Sequence, residues 1–178
     1  MLSPYYFVVD QHNPFTGRPH HARLLAGAFE PIGLRREWPE EARAVKTSQI
    51  SVQTGSRRGV FDLTSVCEAF VAGEPDGLLV VFVAHATAGV VVMELGAGSE
   101  EDLLATIERL LPRDDRWRHQ HGSPGHGADH VLPLLAPPSL TVPVVAGRLQ
   151  LGAWQSIVLL DTNVDREQRT VQLTFLGG

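Results

Sequence analysis

Hydrophobic and polar positions follow a regular pattern only after about residue 45. The segment SQISVQT places Ile50 and Val52 on one face, which predicts a half-buried strand. Further short strands are predicted over VFDL, LLVVFVAH, VVVME, SLTVPV, RLQLG, WQSIVLLD and RTVQLTFL, with short turns between them. The run LLVVFVA is apolar throughout, which predicts a strand covered on both faces of its sheet.

Two segments carry the periodicity of amphipathic helices. In SVCEAF, Ser65 and Glu68 have the spacing of a capping box. In SEEDLLATIERLLP, acidic residues fill the first turn, leucine and isoleucine line one face, and Pro112 ends the helix. The predicted order is therefore β-β-α-β-β-α-loop-β-β-β-β. Because tight turns join antiparallel strands, we predict an α+β fold: a mostly antiparallel β-sandwich or partly closed barrel with two helices.

The first 45 residues differ from the rest of the chain. Prolines recur there, and neither the strand period nor the helix period is sustained. We predict that residues 1–45 are an N-terminal extension that packs partly on the core. Residues 46–178 are predicted to form the single main domain.

Composition and charge narrow the classes of partner. The chain has 178 residues and a net charge of -5, which argues against nucleic-acid binding through a general basic surface. Cys67 is the only cysteine, so no intrachain disulfide can form. The N-terminus lacks the pattern of a signal peptide, and the longest apolar run is too short to span a bilayer. We therefore expect a cytoplasmic protein with no nucleic-acid or membrane partner.

The segment RHQHGSPGHGADH is the strongest chemical signal in the chain, with four histidines at His119, His121, His126 and His130. The last two are four residues apart, a spacing that would put them on one helical face. Pro124 and the glycines beside it argue against a helix before Ala128. The segment is either a solvated loop or a metal or catalytic site, and no phosphate loop, G-x-S-x-G elbow or H-E-x-x-H motif accompanies it.

Three other polar residues stand at strand ends. His85 ends an otherwise apolar strand, where an imidazole is costly to bury without a partner. It is either a core histidine bonded to the backbone or part of a site. Glu94 ends the next strand, and Gln155 begins a later one, where it orients a ligand or bonds the backbone.

Several segments together resemble the YjbQ-like family over about residues 46–178. They are DGLLVVFVAHATAGVVVME, LPRDDRWRH, SLTVP, GRLQLGAWQSIVLLD and RTVQLTFLGG. The resemblance implies sandwiched sheets, a homotrimer, and the family's label of secondary thiamine-phosphate synthase. It also implies a site with His85, His119 and His130 as metal ligands and Glu94, Gln155 and Arg169 as catalytic residues. The chain departs from the family pattern at HGADH, where His126 replaces an asparagine.

The implied ligand set fits two kinds of ligand. Three neutral imidazoles can hold zinc or another divalent metal with an open fourth position. Partly protonated, the same cluster would bind phosphate together with Arg169. We expect His85, His119 and His130 to converge and His121 to be solvated, while the role of His126 stays open.

Three functions remain from the sequence. The first is a transferase that acts on phosphorylated substrates and resembles thiamine-phosphate synthase. The second is a non-catalytic trimer that binds a metal or anion, and the third is a metal-dependent hydrolase. Each implies a small phosphorylated or anionic molecule as partner.

Overall fold

The computed structural model describes residues 45–178, which form eight strands and two longer helices joined by short connections. The strands are β1 (Val45–Gln53), β2 (Gly59–Asp62), β3 (Gly77–Val83), β4 (Ala88–Met93), β5 (Ser139–Val145), β6 (Arg148–Leu149), β7 (Ser156–Asp161) and β8 (Gln168–Gly177). The helices are α1 (Thr64–Val71), α2 (Ser99–Leu110) and the short α3 (His126–Asp129), followed by a 3₁₀ turn at Leu132–Leu134. The predicted N-terminal extension lies outside the described residues.

The strands form two sheets, and every pairing is antiparallel. The larger sheet has the order β1-β8-β3-β5-β6, and the smaller has the order β2-β7-β4. This arrangement confirms the predicted α+β class.

The main core lies between the two sheets. Alternate residues of β3 and β8 meet alternate residues of β7, with Leu79, Phe175, Ile157 and Leu159 all fully buried. A second apolar cluster joins α2 and the 3₁₀ turn to Leu160 on the other face of β7. The strand covered on both faces is therefore β7.

The prediction that the LLVVFVA strand is covered on both faces is wrong for a single chain. In β3 only alternate side chains are buried, while Leu78 and Phe82 on the outer face are 43% and 40% exposed. Apolar composition alone did not distinguish β3 from β7, because the difference depends on which helices pack outside each sheet.

The helix starts also differ from the sequence expectation. Helix α1 begins at Thr64, one residue before the predicted cap, and the Asp62 carboxylate accepts the Thr64 amide hydrogen at 2.8 Å. Helix α3 begins at His126, two residues before Ala128, so the prediction of no helix there was wrong. It follows Gly125, whose positive φ of 81° is a conformation that glycine adopts readily. No helix in residues 45–178 is long and apolar enough to cross a membrane.

Candidate metal centre

The four histidines of the segment after α2 come together in space. Each of His119, His121, His126 and His130 offers one ring nitrogen, and these four atoms all lie within 4.8 Å of one another. Tetrahedral imidazole ligands of zinc, about 2.1 Å from the ion, stand roughly 3.4 Å apart. Small side-chain rotations would therefore bring the four nitrogens to coordination distance.

Backbone geometry folds the segment into this cluster. Gly122 and Gly125 have positive φ angles of 82° and 81°, and they turn the chain from the His119–His121 arm into α3. Gly127 lies against the first arm: a Cβ built on it would stand 2.5 Å from the Trp117 Cβ and 2.6 Å from the His119 carbonyl oxygen. The close approach of α3 to the first arm therefore depends on glycine at this position.

A carboxylate orients one of the imidazoles. Asp165 Oδ2 lies 2.6 Å from His126 Nδ1, and Asp165 also accepts hydrogen bonds from the Ser123 amide and the Asn163 side chain. A hydrogen bond to a carboxylate favours a proton on Nδ1 of His126, and in that neutral tautomer the Nε2 lone pair would face a cation. A carboxylate–histidine pair of this kind is the usual outer layer of a metal site.

The Nε2 atoms of His126 and His130 face each other at 2.9 Å. At this distance one proton is shared between the two nitrogens. A cation bound to both lone pairs would replace that proton. The pair is thus the most preorganised part of the cluster.

A buried polar layer supports the short helix. The Asp129 carboxylate, 1% exposed, accepts hydrogen bonds from Arg113, from the Thr162 hydroxyl at 2.8 Å and from Asn163 at 3.1 Å. Arg113 also donates to the carbonyls of Thr162 and Pro124. These bonds tie α3 to the loop after β7, which carries Asp165.

The electrostatics favour uncharged imidazoles. Desolvation, followed by the neighbouring histidines, lowers the pKa values of His119 and His130 below the ordinary imidazole range. Although desolvation alone would raise it, hydrogen bonds from Asn163, Ser123 and His126 lower the pKa of Asp165 to about 2. His119 and His130 therefore favour their neutral forms near a carboxylate, which suits a cation better than a phosphate.

The structure places His85 next to the cluster but not within it. His85 lines a cavity of about 590 Å³ together with His121, His126 and His130. Its Nε2 accepts the Thr170 amide hydrogen at 3.0 Å, so the ring is bonded to the backbone. Desolvation and the charge of Arg169 lower its pKa.

The other residues implied by the resemblance lie in different surroundings. Glu94 is exposed, and Gln155 is exposed with its side-chain oxygen on the Gly152 amide at 2.7 Å. Arg169 lines the cavity but is only 1% exposed, with its Nε 2.8 Å and its Nη2 3.0 Å from the Asp161 carboxylate oxygens.

The sequence therefore indicated part of this cluster. His119 and His130 come together as expected, with ring centres 4.3 Å apart. His121, expected to be solvated, is exposed yet lies 4.1 Å from the His119 ring, and His126 is the best-anchored of the four. The spacing of His126 and His130 was the available signal, whereas Asn163 and Asp165 carried none because they are distant in sequence.

The fold and the site define an α+β protein of two antiparallel sheets with a histidine cluster beside the smaller one. The sequence profile described as "UPF0047 protein YjbQ-like" matches residues 48–178. The chain belongs to this family.

Relatives support the same assignment. The chain is 57% identical over 132 residues to the UPF0047 protein Rv2556c of Mycobacterium tuberculosis, covering 74% of this chain and 98% of the relative. It is 30% identical to the UPF0047 protein YugU of Bacillus subtilis, covering 75% and 99% of the two chains.

Solved structures share the fold. A YbjQ-like protein of unknown function from Sulfolobus solfataricus P2 is similar with a TM-score of 0.71 at 28% identity, covering 76% of this chain and 99% of that one. A hypothetical protein from Aeropyrum pernix K1 is similar with a TM-score of 0.69 at 35% identity, covering 75% and 99%.

Proposed function

We propose that the protein binds one divalent metal ion, zinc in the first instance, through His119, His121, His126 and His130. The observation that carries the proposal is the convergence of four ring nitrogens within 4.8 Å, with Asp165 fixing the His126 tautomer. Imidazole is the usual protein ligand for zinc, and the lowered pKa values of His119 and His130 keep lone pairs available. Cys67, the one thiol, is buried in the main core, and burial raises its pKa to about 12.

The decisive experiment is zinc titration by calorimetry on the full chain and on single variants. We expect one zinc per chain, and at least tenfold weaker binding in His126→Ala and His130→Ala, because these two nitrogens already face each other. His85→Gln is the matched control, since His85 is the histidine of the cavity that lies outside the cluster. Loss of zinc binding in His85→Gln together with its retention in His126→Ala would instead support the ligand set of the resemblance.

Reactivity at such a metal depends on an open coordination position. His121 is exposed and makes no hydrogen bond among residues 45–178, so it is the least restrained of the four imidazoles. A metal held by His119, His126 and His130 would lie beside the cavity of about 590 Å³, where it would supply a Lewis acid that polarises a substrate oxygen. This supports a metal-dependent enzyme, and the resemblance supplies the candidate reaction, the joining of a pyrimidine diphosphate to a thiazole phosphate.

Turnover assays separate the three functions. Release of diphosphate from that substrate pair by the zinc-loaded protein, absent in His126→Ala, supports the transferase. Hydrolysis of phosphate esters with the same dependence supports the hydrolase. A zinc-loaded protein that turns over neither is the non-catalytic metal-binding protein.

We also propose that the chain assembles as a homotrimer in the cytoplasm. The outer face of the larger sheet supports an assembly, because Leu78, Phe82 and Leu176 are all more than a third exposed there. Apolar side chains grouped on one sheet face are typical of surfaces that another chain covers. The single cysteine is consistent with a reducing compartment.

A further inference from the structure

The cavity beside the histidine cluster has a second wall that the metal does not use. His121, His126 and His130 form one side of this space of about 590 Å³, while His85, Thr87 and Arg166 belong to its remaining lining. A ligand that reached the metal from this cavity would therefore also meet the second wall.

The hydrogen bond of His85 determines its tautomer. Because Nε2 accepts the Thr170 amide hydrogen at 3.0 Å, Nε2 is unprotonated and Nδ1 carries the proton. His85 is thus a neutral ring with one fixed N–H donor on the edge away from Thr170. This N–H can donate to an acceptor oxygen, but a protonated nitrogen has no lone pair with which to bind a metal.

The arginines of the cavity differ in how their charges are used. Arg169 is buried against Asp161, and its Nη2 also donates to the side-chain oxygen of Asn163. Arg166 is exposed, and its side chain makes no hydrogen bond or ion pair within the described part of the chain. Its charge is close enough to His85 to contribute to the lowering of that pKa. Arg166 is therefore the guanidinium available to a ligand.

The charges of the cavity call for an anion once the metal is bound. Asp161 is ion-paired with Arg169, whereas Asp165 is hydrogen-bonded to His126 and Asn163 and forms no ion pair with Arg166. A divalent ion bound at the cluster would bring an excess of about two positive charges to this side of the cavity. An anionic group that bridges the metal and Arg166 would neutralise that excess.

We propose that this cavity is an oxyanion subsite in which the Nδ1–H of His85 and the guanidinium of Arg166 hold a carboxylate or phosphate group of a small molecule beside the metal. The inference rests on the proposed metal site. It moves the anion-binding role from Arg169, the arginine of the resemblance, to Arg166. A planar guanidinium binds a carboxylate or a phosphate through two parallel hydrogen bonds, so the same subsite could recognise either group.

Calorimetric titration of the zinc-loaded full chain with inorganic phosphate, and separately with acetate, tests the subsite. We expect saturable binding of at least one of the two, and the tighter ligand identifies the source of the oxyanion. Arg166→Gln and His85→Ala should each weaken it by roughly tenfold or more, because each removes a hydrogen bond to a charged group. Both variants should bind zinc as the unmodified chain does.

Arg148→Gln is the matched control, since Arg148 lies on the edge strand β6 and does not line the cavity. If Arg166→Gln binds the anions as tightly as Arg148→Gln, or if neither anion binds at millimolar concentration, the subsite is overturned while the metal site stands.

If the chain binds no zinc, the metal proposal fails, and the same titrations on the metal-free chain decide the subsite. Binding that depends on Arg166 would retain it as a metal-independent site. Absence of binding would overturn it as well.

Discussion

His85 shows how one hydrogen bond changes the expected effect of a substitution. A site histidine with no packing role would be removed at little cost, but His85 Nε2 accepts the Thr170 amide hydrogen beside Arg169 in β8. We expect His85→Ala to destabilise the fold by about 1–3 kcal/mol, the cost of leaving a partly buried backbone donor unsatisfied. Urea denaturation of the full chain measures this.

His85→Gln is the companion variant, because a glutamine oxygen can accept the same amide hydrogen. It should retain most of the stability that His85→Ala loses. Nitrogen-15 NMR on labelled histidine should also find the His85 proton on Nδ1. A proton on Nε2, or equal stabilities of the two variants, would contradict the role assigned to this bond.

At the level of single residues, the sequence identified candidate side chains better than their partners. It selected His119 and His130 from local spacing, and these meet in space. It did not identify Asp165, which orients His126, or Asp161, which forms an ion pair with Arg169. No local sequence pattern relates the residues of either pair. Residue type predicts what a side chain can do, whereas its partners depend on tertiary contacts.

Helix α3 is the element on which the cluster depends. It is one turn long, and it brings His126 and His130 against the arm that carries His119 only because Gly127 has no side chain. We expect Gly127→Ala to weaken zinc binding by at least tenfold, although alanine favours helices more than glycine does. Zinc calorimetry, with a thermal melt to show that the fold persists, measures the effect.

Gly152→Ala is the control for this substitution. A Cβ at that position would meet only the flexible Gln155 side chain, at 3.3 Å. Unchanged zinc affinity in both variants would show that the two arms of the cluster tolerate separation.

The regular elements were predictable because their periods are local. All eight strands and both longer helices lie where alternation or helical spacing placed them, within the few residues by which such ends vary. Helix α3 was missed because Pro124 and its neighbouring glycines break helices in general. Here they lie before the helix or at a position where only glycine fits.

At the scale of the whole molecule, the larger sheet presents an apolar outer face. Leu78, Phe82 and Leu176 lie on its two central strands, β3 and β8, and Leu78 pairs with Leu176 in register. If the proposed trimer covers this face, Phe82→Lys should shift the protein toward the mass of a monomer, because burying an unpaired ammonium is costly. Light scattering after size-exclusion chromatography gives the mass.

Leu110→Lys is the matched control, since Leu110 is an exposed apolar residue at the end of α2, away from the sheet. It should leave the mass unchanged. A chain that is already monomeric at micromolar concentration would contradict the trimer.

The close contact at Gly127 also limits how the gene can vary. Every single-nucleotide change that replaces a glycine codon with another amino acid introduces a side chain, and here its Cβ would fall within 2.6 Å of the Trp117 Cβ and the His119 carbonyl. As long as the cluster is needed, no single-nucleotide change that alters the amino acid at position 127 is expected to be neutral. Relatives that carry other amino acids at this position are therefore expected to lack the histidine cluster.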